Sequence, residues 1–293
     1  MTSAMGQNPG DGHDHGSFWQ RLTRGTRWSW LDPRFRAALP ADLDDRVMEL
    51  EARDRLHAKQ GRSTARVVFH GPDGPLAVFL KRHYILPWPA RLAALIDPRG
   101  QHTPGAAEFA HLKRARALGV AVPEVVAAGE RIGPWGEAQS FLMVAELTGS
   151  LPLHEALPEL ARRLDIQAFQ ALKRGLAREM AAHTAALHGA SVFHKDLYLC
   201  HFYLDMGRLD QPGRRLALID LHRLGEHRLW PDRWRWKDLG QLLFSTEGVT
   251  GVTRHDALRF FVHYRRSLAL PRPRWHARMI AWKAARYLQH NSP

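Results

Sequence analysis

The sequence has a single cysteine, Cys200, so no disulfide framework can form within the chain. This scarcity indicates a reducing compartment. The sequence also has no uninterrupted apolar run long enough to span a bilayer. Residues 1–16 lack the apolar core of a signal peptide and are rich in Gly, His and Asp, so we expect a disordered tail there.

Acidic residues are also few, with 29 Asp and Glu against 42 Lys and Arg, which gives a formal net charge of +13. This excess favours an anionic partner such as a nucleic acid, an acidic protein or an anionic membrane leaflet. No helix-turn-helix, zinc-finger spacing or RNA-binding aromatic motif is present, so we expect no nucleic-acid partner. The ten tryptophans that accompany the charge suit either a membrane interface or the core of a large lobe.

The chain is long enough for a large core, and its pattern suggests four segments. After the tail, residues 17–54 are expected to form an irregular arm over residues 17–40 and then a short helix, whose apolar spacing extends over residues 42–58. Residues 55–147 are rich in strand patterns, and residues 148–293 are mainly helical.

The strand-rich segment begins with two apolar runs, residues 64–69 and 76–81, on either side of a Gly-, Pro- and Asp-rich turn that predicts a hairpin. Lys81 ends the second run, where an ammonium is costly unless it meets an anion or is solvated. Residues 82–104 read as a loop, and residues 104–118 as a helix that carries Glu108 and stops at Gly119. Residues 120–129 and 140–147 read as strands.

A glycine and small hydroxyl residues precede the hairpin, in the order Gly61, Arg62, Ser63 and Thr64. Backbone N–H groups at such a glycine can approach a phosphate, although the same residues also suit an ordinary turn.

The chain is organised around residues 193–202, Phe-His-Lys-Asp-Leu-Tyr-Leu-Cys-His-Phe, which follow a strongly amphipathic helix over residues 169–187. Asp196 follows His194 by two residues and precedes His201 by five. The same spacing joins His, Asp and Asn in the catalytic loop of kinases. The alternative interpretation is a buried loop with two structural histidines.

Asp220 ends a short apolar run 24 residues after Asp196, where the kinase template places an aspartate that holds Mg²⁺. Asp238 is expected near the start of a helix from residue 236, where it caps the helix or braces the catalytic loop. Residues 221–237 contain no Ser, Thr or Tyr, so we predict no activation by phosphorylation there. Their His, Arg and Trp residues suit either an anionic acceptor or a solvated basic loop. Two helices, over residues 254–268 and 275–290, are expected to close the chain.

With these residues, the chain resembles the lipopolysaccharide kinase family, the Kdo and heptose kinases. The resemblance runs over residues 55–270. Its specific part is the string His-x-Asp-Leu-Tyr-x-x-His-Phe from His194 to Phe202. It implies an α+β, protein-kinase-like bilobal fold with a small β-rich N-lobe and a larger helical C-lobe. It also implies an ATP- and Mg²⁺-dependent enzyme that phosphorylates an inner-core sugar of lipopolysaccharide, Kdo or heptose, and that is cytoplasmic and peripheral on the anionic inner leaflet of the cytoplasmic membrane.

The resemblance also implies roles for particular residues. Asp196 would be the catalytic base or orienting group, and Asp220 and His201 would hold Mg²⁺, although imidazole is a softer ligand than an amide or carboxylate oxygen. The ATP-binding residues would be Lys81 with Glu108 at the α- and β-phosphates, Gly61, Arg62, Ser63 and Thr64 over the phosphates, and Glu146 and Leu147 at the adenine.

Two other functions remain open from the sequence. One is a kinase of the same fold that acts on a polyol, an aminoglycoside or a protein side chain. The other is a non-catalytic pseudokinase scaffold, which would not bind Mg-ATP.

Overall fold

The structure is a computed structural model, and it describes residues 19, 23–50, 54–59, 61–84, 103–133 and 138–291. The predicted tail, residues 1–16, and most of the predicted loop over residues 82–104 lie outside the described residues. The chain divides into two compact units. The first comprises Met1–Ala110 and Glu124–Glu146, and the second comprises His111–Pro123 and Leu147–Pro293.

In the described part of the first unit, six strands form an antiparallel sheet in the order β1-β5-β6-β4-β3-β2. The strands are β1 Thr26–Leu31, β2 Asp54–Lys59, β3 Arg62–Gly71, β4 Gly74–His83, β5 Val125–Ile132 and β6 Ala138–Ala145. The predicted hairpin is confirmed as β3 and β4. Its turn places Gly74 at φ 111°, a conformation that favours glycine.

The predicted helix around Glu108 is confirmed as Pro104–Ala117. Gly119 follows at φ 79°, in the left-handed region that commonly ends a helix. The predicted strand over residues 120–129 begins later, at Val125.

Two predictions for the N-terminal segment are wrong. Residues 26–31 of the arm form β1, because Trp28 and Trp30 alternate onto one face and both rings pack against Phe109, with centroids 5.2 and 5.0 Å away. The helix expected over residues 42–58 is only α1, Leu43–Arg46, and residues 54–59 pair with β3 as a strand.

Arg82 explains part of the early end of helix α1. Its side chain is 2% exposed, and its Nη1 atom donates to the carbonyl oxygens of Met48 and Leu50 at 3.2 and 2.8 Å. These buried charge-assisted bonds hold the segment after the helix in a non-helical path. Helix Pro104–Ala117 is α2; its residues up to Ala110 belong to the first unit and those from His111 belong to the second.

The second unit is mainly helical, as predicted. Its helices are α3 Leu153–Arg163, α4 Ile166–Gly189, α5 Pro231–Phe244, α6 Arg254–Ser267 and α7 Pro273–Asn291. Asp165 caps α4 by accepting a hydrogen bond from the N–H of Ala168 at 2.8 Å. The two C-terminal helices are confirmed as α6 and α7. Helix α5 begins at Pro231 rather than at residue 236, so Asp238 lies inside the helix and does not cap it.

Short strands fix the loops of the second unit. They are β7 Ser150–Pro152, β8 Val192–Phe193, β9 Phe202–Asp205, β10 Leu216–Leu218 and β11 Gly225–Glu226. Strands β10, β9 and β7 form one small sheet, and β11 pairs with β8. Residues 194–201 therefore span from β8 to β9, and Asp220 lies two residues after β10. No helix of the described residues is both long and apolar enough to cross a membrane.

Candidate active site

Lys81 in strand β4 forms an ion pair with Glu108 in helix α2. Its Nζ atom lies 2.6 Å from Oε1 of Glu108. The Glu108 side chain is only 5% exposed, while that of Lys81 is 24% exposed. The carboxylate thus compensates the charge of a lysine whose side chain is partly exposed.

The register between β3 and β4 decides which predicted phosphate-covering residues share a face with Lys81. Thr64 lies directly opposite Lys81, and Arg62 lies opposite His83. Side chains alternate along a strand, so Arg62 and Thr64 are on the Lys81 face and Ser63 is on the other. Ser63 is 7% exposed, and its Oγ accepts a bond of 3.4 Å from Nη2 of Arg82. Its hydroxyl is therefore committed to the core side of the sheet.

Glu146 lies just after β6, and its side chain and N–H are engaged within the first unit. Arg66 donates to both carboxylate oxygens at 2.7 and 2.8 Å, and this hydrogen bonding lowers the pKa of Glu146. The backbone N–H of Glu146 donates to the carbonyl of Ala77 at 2.9 Å. An adenine contact at Glu146 would therefore use its carbonyl oxygen.

Asp238 braces the loop that carries Asp196. Its two carboxylate oxygens accept hydrogen bonds from the N–H groups of Lys195 and His194, each at 2.8 Å. Lys195 has φ 63°, a left-handed conformation that is uncommon for residues other than glycine. The predicted bracing role is confirmed, and these bonds hold an unfavourable backbone conformation one residue before Asp196.

A buried chain of polar side chains holds Asp238 in turn. Arg235 Nε donates to the Tyr264 hydroxyl at 2.9 Å, and that hydroxyl donates to Nδ1 of His188 at 2.8 Å. The Nε2–H group of His188 donates to Asp238 at 3.2 Å. Burial lowers the pKa of His188, while Asp238 opposes this, and the net direction is downward. The neutral ring is the form that can both accept from Tyr264 and donate to Asp238.

The sequence prediction did not include the residues that contact the Asp196 carboxylate. Gln241 Nε2 lies 3.4 Å and Arg223 Nη1 3.7 Å from its Oδ1 atom. Gln241 also lies 3.0 Å from the hydroxyl of Tyr198. The available signal was spacing, since Gln241 follows Asp238 by three residues and so lies on nearly the same face of α5.

His201 lies between the carbonyl of Asp196 and the carboxylate of Asp220. Its Nδ1 atom is 2.8 Å from the Asp196 carbonyl oxygen, which can only accept, so Nδ1 donates. In the neutral ring Nε2 then keeps its lone pair, 3.8 Å from Oδ2 of Asp220. Asp220 has φ 62°, and its Oδ1 accepts from His222 Nδ1 at 2.6 Å.

The Asp220 and His201 pair fits a Mg²⁺ ion that is held mainly by a substrate. No group of three or more His, Cys, Asp or Glu side chains suited to a metal occurs in the described parts of the chain. Mg²⁺ commonly uses one or two carboxylates together with phosphates and water, so two protein ligands suffice. Two lone-pair atoms that face each other across 3.8 Å are also a favourable arrangement for a cation.

A basic and aromatic cluster lies beside the same loop. The rings of His227 and Trp234 stack with centroids 4.0 Å apart. The Nζ atoms of Lys195 and Lys237 each lie 5.8 Å from the Trp234 ring. Lys237 also donates to the Lys195 carbonyl, and burial lowers its pKa. These contacts tie residues 225–237 to the loop that carries Asp196.

A separate apolar cavity of about 280 Å³ lies within the helical unit. Leucine, methionine and aromatic side chains from helices α3 to α7 dominate its wall, among them Leu153, Leu176, Met180, Leu242, Phe261 and Ile280. The buried ion pair between Lys173 and Asp256, at 2.7 Å, is the main charged feature of this wall. The cavity is therefore suited to a hydrocarbon group rather than to a nucleotide.

The strand order, the Lys81–Glu108 pair and the braced Asp196 loop define a protein-kinase-like phosphotransferase. In agreement with this class, the solved structure "WaaP in complex with acyl carrier protein" aligns with a TM-score of 0.67 at 30% identity. The alignment covers 90% of this chain and 99% of that one. The α+β, kinase-like fold expected from the sequence is thus confirmed.

Sequence comparisons identify relatives of this chain within the class of kinase-like phosphotransferases. The model of the lipopolysaccharide kinase (Kdo/WaaP) family matches residues 99–264. The lipopolysaccharide core heptose(I) kinase WaaP of Pseudomonas aeruginosa is 32% identical over 224 residues, which are 76% of this chain and 81% of that protein. The enzyme of the same name from Escherichia coli K12 is 33% identical over 162 residues, 54% of this chain and 58% of that protein. The chain belongs to the lipopolysaccharide kinase (Kdo/WaaP) family, and it is an ATP-dependent kinase.

Proposed function

We propose that this kinase transfers phosphate from ATP to a heptose hydroxyl of the lipopolysaccharide inner core. The relatives named as heptose(I) kinases support heptose over Kdo as the acceptor. The observation that carries the proposal is the bracing of residues 194 and 195 by Asp238, which holds the neighbouring Asp196 carboxylate at a defined position. Such positioning is the main contribution that a protein makes to phosphoryl transfer.

Asp196 accepts a hydrogen bond from the acceptor hydroxyl and aligns that oxygen for attack. Gln241 and Arg223 donate toward the same carboxylate and keep it from rotating. The hydroxyl proton passes to Asp196 as the acceptor oxygen bonds to the γ-phosphorus, while the bond from that phosphorus to the β-phosphate oxygen breaks and ADP leaves. The cationic head groups of Lys195 and Lys237, beside Trp234, offer sites for anionic groups of the acceptor.

The ATP phosphates bind to the first unit through Lys81, which Glu108 orients. Gly61, Arg62, Ser63 and Thr64 cover the phosphates. Arg62 and Thr64 contribute side chains, because they share the Lys81 face, and Ser63 contributes only its backbone. The carbonyl of Glu146 and the N–H of Leu147 hold the adenine edge, since the N–H of Glu146 is already bonded.

Asp220 and His201 would hold Mg²⁺ through Oδ2 and Nε2. Bound there, the ion would offset the negative charge that develops on the transferred group. The remaining contribution of His201 is its bond to the Asp196 carbonyl, which ties the metal site to the catalytic loop.

The test is phosphate transfer from labelled ATP by the purified full chain, read by mass spectrometry. We expect turnover of a lipid A–core acceptor that carries an unphosphorylated heptose, and none of Kdo-only lipid A or a free aminoglycoside. Asp196→Asn should abolish turnover, while Asp210→Asn, an exposed aspartate of a turn, should not. Turnover of the Kdo-only acceptor would show that the acceptor sugar is Kdo and not heptose. Equal turnover by Asp196→Asn would refute the proposed site.

We also propose that the helical unit binds an acyl carrier protein and accommodates its acyl chain in the apolar cavity. Two observations support this, the apolar wall of the cavity and the acyl carrier protein bound to WaaP in the similar solved structure. A titration with acyl carrier protein that bears a long acyl chain should give clearly tighter binding than one with the unacylated form. Equal affinities for the two forms would show that the cavity does not accommodate the acyl chain. Association of the chain with an anionic membrane leaflet remains part of the proposed function as well.

A further inference from the structure

The last 37 residues of the chain, from residue 257 onward, contain no Asp or Glu and eight Lys or Arg. This charge excess is concentrated on the last two helices. Three of the eight residues lie on α6, and four, Arg274, Arg278, Lys283 and Arg286, lie on α7. A helix without a single acidic residue presents a positive field that internal ion pairs do not cancel.

One face of α7 packs against the unit and the opposite face is exposed. His276, Ile280 and Ala284 are 2%, 7% and 5% exposed, and they recur at helical spacing. Trp275 and Trp282 are seven residues apart on the other side, and they are 43% and 48% exposed. The two indole rings are therefore offered to solvent, about 10 Å apart along the helix axis.

Cationic side chains surround the more exposed of these rings. Lys283 Nζ and Arg286 Cζ each lie 5.2 Å from the ring of Trp282. Burial lowers the pKa of Lys283, and the nearby charges of Arg286 and Arg233 lower it further. Arg233 belongs to the start of α5, so the positive surface continues from α7 to that helix.

The start of α5 adds two more exposed apolar side chains. Leu229 and Trp230 are 86% and 81% exposed. Trp230 adopts φ 54° just before the helix begins, which is an uncommon conformation for a bulky residue. Trp236 of α5 contacts Trp275 of α7, with ring centroids 4.6 Å apart, so the first halves of these two helices lie side by side.

We propose that this surface, the basic tryptophan face, rests on an anionic lipid bilayer. It is defined by Leu229, Trp230, Trp275, Arg278, Trp282 and Arg286. Tryptophan favours the boundary between hydrocarbon and head groups, and arginine beside it binds lipid phosphates. Binding of a nucleic acid or an acidic protein would use the positive charges of this face but not its four exposed apolar side chains. A bilayer uses both, so it fits this composition better.

Helix α7 has the basic tryptophan face on one side and the loop that carries Asp196 near its other, packed side. Tyr287, on the packed side with Ile280 and Ala284, has its pKa raised mainly by burial and also by the charges of Tyr198, Asp238 and Asp196. We therefore expect a bilayer at the basic tryptophan face to bring a lipid-linked acceptor into the neighbourhood of this helix and loop. This consequence rests on the proposed function, and the face assigns a surface to the membrane association included there.

The test is cosedimentation of the full chain with vesicles of phosphatidylcholine, with or without phosphatidylglycerol. We expect binding to the anionic vesicles that weakens at high salt. Arg278→Gln with Arg286→Gln should reduce partitioning about 25-fold, since each basic residue near the surface contributes about fivefold. Trp282→Ala should also reduce it. The matched controls Arg162→Gln with Arg174→Gln, and Ile166→Ala, alter exposed residues elsewhere in the unit and should bind normally.

Other outcomes decide against the proposal. Equal losses in the controls and in the α7 variants would show general charge attraction and overturn it. Binding to acidic proteins without binding to vesicles would assign the face to an acyl carrier protein or another acidic partner. If Trp282→Ala lowers thermal stability, its weaker binding has a second explanation. The variant with Arg278→Gln and Arg286→Gln then tests the proposal without it. Vesicle binding requires neither ATP nor acceptor, so a chain that binds vesicles but does not phosphorylate the heptose acceptor would refute the proposed acceptor and leave the membrane face intact.

Discussion

His201 donates its Nδ1 proton to the carbonyl oxygen of Asp196, over 2.8 Å, and this bond leaves Nε2 pointing to Asp220. If Nε2 is a Mg²⁺ ligand, His201→Ala should raise the Mg²⁺ concentration for half-maximal turnover by about 10- to 100-fold. His201→Asn should lose less, because an amide oxygen can also bind Mg²⁺. A titration of turnover against Mg²⁺ checks both variants. An unchanged midpoint in His201→Ala would leave Asp220 as the sole protein ligand.

Asp238→Asn removes one of the two carboxylate oxygens that accept hydrogen bonds from the loop that carries Asp196. One buried N–H of His194 or Lys195 then lacks an acceptor, at a cost of about 1–3 kcal/mol. We expect a lower free energy of unfolding, measured by urea denaturation, and a fall in kcat with little change in KM for ATP. Asp210→Asn should change neither quantity. Normal kcat in Asp238→Asn would mean that the bracing is not needed for catalysis.

Lys81→Met removes a charge that the phosphates of ATP are proposed to meet, and it leaves Glu108 buried without its partner. We expect kcat/KM for ATP to fall at least about a hundredfold, as is typical for loss of an electrostatic contact in the transition state. Lys113→Met, on the exposed side of the same helix as Glu108, is the control. The double variant with Glu108→Gln should recover stability but not activity, which separates the two effects.

Buried histidines should make the fold sensitive to acid. Burial lowers the pKa of His188 and of His194 below the ordinary value of 6.5. Below pH 6.5 the unfolded chain takes up protons that the folded chain does not, so stability falls as the pH drops. Each such histidine contributes up to about 1.4 kcal/mol per pH unit. Denaturation from pH 7.5 to 5.5 measures the slope. His188→Gln should reduce this slope, while exposed His255→Gln should preserve it.

Periodic segments were predicted well from the sequence. The β3–β4 hairpin, the helix around Glu108 and helix α4 each have a local cause, namely a turn, a stop residue or an apolar stripe. Strand β1 was missed because its alternation involves two tryptophans among polar residues, and only Phe109 in another element shows which face they cover. Helix α1 was overextended because its end depends on Arg82, 32 to 34 residues further along the chain.

The candidate site was also predicted only in part from the sequence. Spacing within the chain was enough to single out Asp196, Asp220 and Asp238. It did not reveal that Ser63 turns away from Lys81, since this depends on the register of two strands. The series of hydrogen bonds from Arg235 through Tyr264 to His188 could not be predicted from the sequence either. It joins three helices whose packing no local pattern specifies.

The stacked pair of Trp234 and His227 has a consequence for control of the enzyme. In many kinases a phosphate orders the corresponding segment, and its removal switches the enzyme off. Here aromatic stacking and the contacts with Lys195 and Lys237 hold residues 225–237, which contain no hydroxyl side chain. We expect full activity from protein that mass spectrometry shows to be unmodified, and reduced activity from Trp234→Ala. If both results are obtained, the supply of ATP and acceptor, rather than phosphorylation of this segment, would set the output of the enzyme.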